Sequence, residues 1–372
     1  MDFTFSPEQE QLRDAVQRWV ERGFTPERRM ALSRDGGHAR AVYDELAGLG
    51  LSALAVAEEH GGMGFGATEA MVVMHEIGRG LVHAPLAQAA LIAPTVLAQA
   101  SAELQSDWLG RMAAGDAMVV LAHQERGQRY QLGAPGTKAT ASGDAWHITG
   151  AKSLVPAGDE ADAFIVPALI DGALALFLVD AKATGITVRA YPTQDGARAA
   201  ELTLQDTPGA LITRDGAALL ALAVDVGIAA HCAEGVGLME RLIELTVEYM
   251  NTRKQFGVPI ASFQALRHRM ADVKMQLELA RSMSYFASLK LNEPEAQRRR
   301  ALSQAKVQLG QSLRMVGQQC VQMHGGIGIT DEYIGSHYFK RMTLLEFAFG
   351  DTMHHLGEVS ARLQDQQAGV FA

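Results

Sequence analysis

The spacing of apolar residues changes twice along this chain, and each change marks a switch in the kind of secondary structure it can form. Up to about residue 115 apolar side chains recur every three or four positions, in stretches at 41–49, 68–79, 86–100 and 102–114. Ser6-Pro7-Glu8-Gln9 opens the first helix: serine accepts from free amides, proline suits the first helical position, and glutamine completes a capping box. Leu12, Val16, Trp19 and Val20 follow as one apolar stripe. Near Gly115-Asp116 the texture shifts to short apolar or alternating runs around Val119, Trp146, Phe164, Leu176 and Leu202. These read as antiparallel strands with one wet face, with Gly143-Asp144 and Asp171-Gly172 as hairpin turns. Beyond Asp215 the helical period returns in four long stretches, 217–253, 262–291, 293–324 and 344–364. The expected fold class is α+β, mostly α: an N-terminal helical domain over 1–117, a middle antiparallel β domain over 118–214 and a C-terminal four-helix bundle over 215–372.

Composition narrows the function. A formal charge of −9 excludes a nucleic-acid binder of the ordinary basic kind, because phosphates need a cationic face. Two cysteines, Cys232 and Cys320, rule out a disulfide scaffold and favour a reducing compartment. The apolar run near 217–230 is interrupted by Asp225 and is too short to span a bilayer, and the N-terminus lacks a secretory pattern. A soluble cytoplasmic protein without a membrane span is expected. His354-His355 do not make a metal site, since adjacent histidines leave a helix in different directions. Arg298-Arg299-Arg300 reads as a solvated helix face.

Two strings carry most of the functional information. The first is Arg253-Lys254-Gln255-Phe256-Gly257-Val258-Pro259-Ile260, with Phe263-Gln264 at the next helix start. The second is Gln322-Met323-His324-Gly325-Gly326. Taken alone, Arg253 complements a helix dipole and the glycines cap a helix end. Together they resemble the C-terminal flavin-binding segments of the acyl-CoA dehydrogenase family, and Glu58-Glu59-His60-Gly61-Gly62-Met63-Gly64 resembles its N-terminal glycine-rich loop. The resemblance implies FAD, with Arg253 on the pyrophosphate, Phe256 beside the cofactor, and Gln255, Gln264, Gln322, Gly325, Gly326 and Thr352 as further contacts. In this family the adenine end so held belongs to a neighbouring subunit's flavin. The implied reaction is α,β-dehydrogenation of an acyl-CoA thioester: a base removes the α-proton, the β-hydride passes to the flavin, and electrons leave to an electron-transfer flavoprotein. A homo- or hetero-oligomer, dimer or tetramer, is implied too.

Three departures concern the chemistry. The family keeps its carboxylate base just before a Gly-Thr pair; aligning Thr352 with that threonine puts Asp351 on the glycine and Gly350 on the base. The alternative base position on the first bundle helix falls at about Gly227. The middle-domain Thr-Glu-Pro-x-x-Gly-Ser-Asp motif is replaced by the stretch from His123 to Tyr130, and the Trp-x-Thr strand reads Leu154-Val155-Pro156. Two readings follow. In one, the base is relocated: Asp351 is the nearest candidate, although aspartate at such a junction also serves as a helix cap, and Glu346 lies one helical turn earlier. In the other, the chain is the small or non-catalytic subunit of a heteromeric, pimeloyl-CoA dehydrogenase-like enzyme, completing the FAD site of a partner chain.

Overall fold

The computed structural model describes residues 4–133, 135–143 and 145–364; Asp144 of the expected Gly143-Asp144 turn lies outside them. In chain order the first part holds α1 (Pro7–Gly23), α2 (Pro26–Arg34), α3 (Arg40–Gly48), α4 (Ala67–Arg79), α5 (Ala93–Leu97) and α6 (Ala102–Ala114). The strands are β1 (Val119–Leu121), β2 (Lys138–Ser142), β3 (Ala145–Pro156), β4 (Ala163–Ile170), β5 (Ala173–Asp180), β6 (Ile186–Pro192) and β7 (Arg198–Thr213). Then come α7 (Gly216–Thr252), a small hairpin of β8 (Lys254–Gln255) and β9 (Val258–Pro259), α8 (Gln264–Lys290), α9 (Glu295–His324), α10 (Ile334–Phe347) and α11 (Thr352–Gln364). The helix start at Ser6 is as expected: the Gln9 amide donates to Ser6 Oγ at 3.3 Å and the Ser6 amide to Gln9 Oε1 at 2.9 Å.

Contacts group the chain into two units that cut across its sequence order. One comprises Met1–Arg29, Ala67–Val82 and Ile228–Ala372; the other comprises Met30–Gly66 and His83–Gly227.

The second unit is built on a seven-stranded sheet in the order β1-β4-β2-β3-β7-β5, with β6 on β7 and β4 paired to β5. The expected all-antiparallel pairing is corrected in one respect: β1 and β2 both run parallel to β4. Strands β4 and β5 are buried on both faces, which is why they read as continuous apolar runs. Strands β2 and β6 lacked that signal because they are mostly exposed or half-buried. The Asp171-Gly172 turn has positive φ at both residues, 49° and 86°, and joins Ile170 to its partner Ala173 in the two-residue form.

In the first unit, α4 and α7 cross with their backbones touching. A Cβ on Gly78 would overlap the Glu234 carbonyl, and one on Gly237 would overlap the His75 carbonyl. Beside this crossing, His75 Nε2 lies 2.7 Å from Glu240 and its Nδ1 3.1 Å from Glu76, while Arg79 forks onto Glu244 at 2.9 and 3.2 Å. Helix α9 forms the axis of the unit, with α8, α10 and α11 packed on it. Leu277, Leu302, Leu309, Leu313 and Val316 are buried there. The apolar stretch in α7 is longer than the sequence reading allowed. It has an 18-residue window of mean hydropathy 1.8, enough by length and composition to cross a bilayer, but 83% of that window is buried inside the protein. The last expected bundle helix, 344–364, is two helices, because the chain breaks between Phe347 and Thr352. Arg298 is buried and Arg299 and Arg300 are half-buried, so this run is not the solvated face expected.

Two outcomes follow. Gly78→Ala should lower stability by about 1–3 kcal/mol through overpacking at the α4–α7 crossing, seen as a fall in denaturation midpoint at unchanged m-value. Burial alone would depress the His75 imidazole, but its hydrogen bonds to Glu240 and Glu76 outweigh that and raise it above the ordinary value. A raised histidine stabilises the fold fully below its unfolded value of about 6.5 and loses that contribution as pH climbs through the folded value. Thermal melting across this neutral-to-alkaline window should therefore decline more steeply in the native protein than in His75→Gln.

Candidate functional site

The two C-terminal strings lie at the same end of their unit. Arg253 follows the last residue of α7, and its amide donates to Tyr249 O at 2.8 Å. The Tyr249 ring stands 4.7 Å from that of His324, the last residue of α9, and Gly325 and Gly326 follow directly. Between α7 and α8 the β8–β9 hairpin turns through Phe256 and Gly257, both at positive φ (54° and 82°). The strain on Phe256 is real, since a bulky residue is unfavourable in this conformation. The residue is 92% exposed, and its ring meets that of Phe263 edge-on with centroids 6.1 Å apart.

Seven of the eight residues expected to touch a cofactor share this exposed end. Arg253, Gln255, Phe256, Gln264, Gln322, Gly325 and Gly326 are all exposed. Among the described residues no ion pair engages the Arg253 guanidinium and no hydrogen bond engages the side-chain amides of Gln255, Gln264 or Gln322. Positions 325 and 326 have no atom within 4 Å of where a Cβ would stand. Bare backbone, free amides and an uncommitted guanidinium fit the adenine and pyrophosphate end of a dinucleotide.

Thr352 is the eighth, and it is used differently. Helix α10 ends where its last carbonyls, those of Leu345 and Glu346, accept from Lys306 Nζ at 2.5 and 3.0 Å. The chain then passes through Phe349 (φ 57°) and Gly350 (φ 111°) into α11. Asp351 Oδ1 accepts from the His354 amide at 2.8 Å, as an N-cap should. Glu346 Oε1 accepts from the Thr352 amide at 3.1 Å and from Thr352 Oγ1 at 2.8 Å, with Arg314 at 3.2 Å. Glu346 is thus 5% exposed rather than a solvated helix residue, and it does not share one continuous helix with Asp351. The Thr352 hydroxyl is committed to it.

Gly350, which the resemblance sets on the base position, has no room for a side chain. A Cβ there would stand 2.5 Å from His355 Nε2 and 2.6 Å from His354 Cδ2. His355 is itself fixed, with Nε2 2.9 Å from Phe349 O and Nδ1 3.2 Å from Ser303 Oγ. Burial pushes its imidazole down to about 3, so it stays neutral. Burial likewise draws the Lys306 ammonium down to about 8, while Cys232, Glu346 and Asp351 pull the other way. Among the described residues no cluster suits a metal ion, and both cysteines are buried and free.

In the other unit, the stretch that the resemblance sets against the flavin-ring motif is tied to residues outside it. Glu125 Oε1 accepts from Lys152 Nζ and Thr137 Oγ1, both at 2.6 Å, and its Oε2 accepts from the Gly136 amide at 2.6 Å. Lys152 also donates to Pro167 O at 2.7 Å and is wholly buried. Burial lowers the Lys152 ammonium to about 8 against the pull of Glu125, and lowers the His123 imidazole to about 4. Leu154, in place of the ring-facing tryptophan strand, is a half-exposed aliphatic at φ 53°. These residues do not fit a flavin ring, which needs amide and hydroxyl donors at its reactive edge. The 125–152 pairing was invisible in sequence because its partners are remote; a lysine among apolar residues at 152 was the one signal.

Family profiles for the acyl-CoA dehydrogenase N-terminal, middle and C-terminal domains match residues 6–116, 121–207 and 214–364. Acyl-CoA dehydrogenase IpdE2 of Mycobacterium tuberculosis is 31% identical over 90% of each chain. The chain belongs to the acyl-CoA dehydrogenase family. These are flavin-dependent oxidoreductases that act on CH–CH groups. Acyl-CoA dehydrogenase FadE27 of the same organism is 28% identical, covering 99% of this chain and all of that one. Among solved structures, a variant of the Tcur3481-Tcur3483 steroid ACAD superposes with a TM-score of 0.90 at 27% identity, over 97% and 99% of the two chains. A chain of the ChsE4-ChsE5 complex from Mycobacterium tuberculosis gives 0.88 at 27% identity, over 98% and 99%.

Gly350→Ala should destabilise the fold by about 1–3 kcal/mol through backbone strain and overlap with His355, measured by denaturant unfolding. Gly350→Glu should fail to create dehydrogenase activity in the isolated chain for the same reason.

Proposed function

We propose that this chain is the base-deficient subunit of a hetero-oligomeric, FAD-dependent acyl-CoA dehydrogenase. The observation that carries this reading is Gly350: the position that should present a carboxylate is a positive-φ glycine roofed by His354 and His355. Removing an α-proton needs a positioned base of suitable pKa. The nearest carboxylates, Asp351 and Glu346, both cap α11. The losses are one-sided. Groups serving a neighbour's dinucleotide stay exposed and uncommitted, while groups that would serve this chain's own ring are absent or paired internally.

In this reading Arg253 neutralises pyrophosphate charge, Gln322 and Gln264 offer amide contacts, Phe256 packs on the cofactor, and the Gly325-Gly326 backbone admits the adenosine. When bound, FAD supplies the hydride acceptor. The partner is a second acyl-CoA dehydrogenase chain that keeps its carboxylate and ring pocket, and electrons leave to an electron-transfer flavoprotein. The likeness to the two-name complexes ChsE4-ChsE5 and Tcur3481-Tcur3483 supports a heteromer, and the second favours a steroid-derived acyl group.

The purified single chain should oxidise acyl-CoA thioesters at least about a thousandfold more slowly than the chain co-expressed with its partner, the scale expected for a missing general base. Appreciable turnover by the single chain, abolished by Asp351→Asn with flavin retained, would overturn the proposal in favour of a relocated base. Comparing a steroid-side-chain CoA thioester with butyryl-CoA in the complex tests the acyl class.

A further inference from the structure

His324 lies between the two halves of the exposed cradle, and no part of the reading above uses it. It is 4% exposed, at the last position of α9. Its Nδ1 is 2.8 Å from Cys320 O. A carbonyl only accepts, so Nδ1 carries the proton and Nε2 of the neutral ring is left as an acceptor. The Tyr333 hydroxyl, 2.6 Å away, donates to it. The ring is also flanked by two tyrosines, Tyr249 from α7 and Tyr333 from the segment leading into α10, each with its centroid 4.7 Å away.

These contacts reach three separate stretches of chain. Tyr249 O receives the Arg253 amide, so the α7 face of the ring leads within one helical turn to the Arg253 backbone. On the other side the ring belongs to the residue before Gly325, which leaves the helix at φ 64°, ψ −141°. Tyr333 closes the far end of the loop that begins there. Burial draws the His324 imidazole below its ordinary value, and burial pushes the Tyr333 phenol up to about 12. Both keep the protonation states this arrangement needs.

We propose that His324 is the positioning residue of the dinucleotide cradle, locking the Gly325-Gly326 loop against the end of α7 so that bare backbone and the segment that carries Arg253 stand at a fixed separation. The proposal rests on the assignment of this end to FAD. Its own content is the mechanical link: with the ring's hydrogen bonds to Cys320, Leu245 and Tyr333 removed, the loop loses its register while helix α9 remains.

The test compares FAD affinity, by quenching of flavin fluorescence, in the full-length protein with its partner chain present, for native, His324→Leu, His324→Gln and Tyr333→Phe forms. Loss of one buried hydrogen bond sets the expected scale. His324→Leu and Tyr333→Phe should each weaken FAD about tenfold or more, while the melting temperature without FAD moves little. His324→Gln, whose carbonyl oxygen can reach the Tyr333 hydroxyl, should recover most of the loss, which a merely space-filling role would not produce. Hydrogen exchange without FAD should be faster at 325–329 in His324→Leu and unchanged in the body of α9. Native affinity together with native exchange in His324→Leu overturns the proposal. Arg253→Ala reads the FAD assignment separately. If that variant binds FAD normally, the cradle is misassigned, and the exchange result still decides whether His324 holds the loop.

Discussion

Lys306 donates its ammonium hydrogens to the last carbonyls of α10 and so ends that helix inside the protein. From this one buried contact the following four residues have little freedom. The chain must turn at once and start α11 over Ser303. It does so through two positive-φ residues, with Glu346 and Asp351 filling the first free amides of the new helix. His355 then folds back on Gly350. Glu346 and Asp351, the two carboxylates of this turn, are both drawn into holding it.

In the proposed subunit the two ends of the cofactor site fare differently for a physical reason. Holding an adenine end takes exposed groups on a surface, and such groups contribute little to the chain's own stability. They persist only if something else uses them. The ring end lies in a more enclosed region, where an unused polar pocket would leave buried donors and acceptors unpaired at a cost of about 1–3 kcal/mol each. Glu125, Thr137 and Lys152 satisfy one another there instead. In the proposed subunit, such a selective loss is what burial predicts once a site no longer binds.

Sequence alone revealed the succession of helix, sheet and helix, because period is a local property. It also revealed the Arg253 and Gln322 strings, which are contiguous and chemically unusual. It did not reveal the α10–α11 break, since Leu344, Leu345, Phe349 and His355 keep an apparent helical rhythm across it and the contact of Lys306 with the end of α10 is remote in sequence. Strands β2 and β6 were missed because their side chains are largely wet. The grouping of α1 and α4 with the long C-terminal helices was equally hidden, because it turns on a glycine meeting a carbonyl about 150 residues away. Local patterns were legible; long-range hydrogen bonds and close backbone approaches were not.

The β8–β9 hairpin has a consequence for how such a protein must be made. A phenylalanine held almost wholly in water on a strained turn, with Ile329 also largely exposed nearby in sequence to the glycine loop, is an adhesive surface as long as nothing covers it. Copies synthesised in excess of whatever caps them would carry that liability free in the cell, open to clumping and to proteolysis. For the proposed hetero-oligomer, supply of this polypeptide has to be matched to that of the second chain, and the ratio of the two becomes a property under selection in its own right.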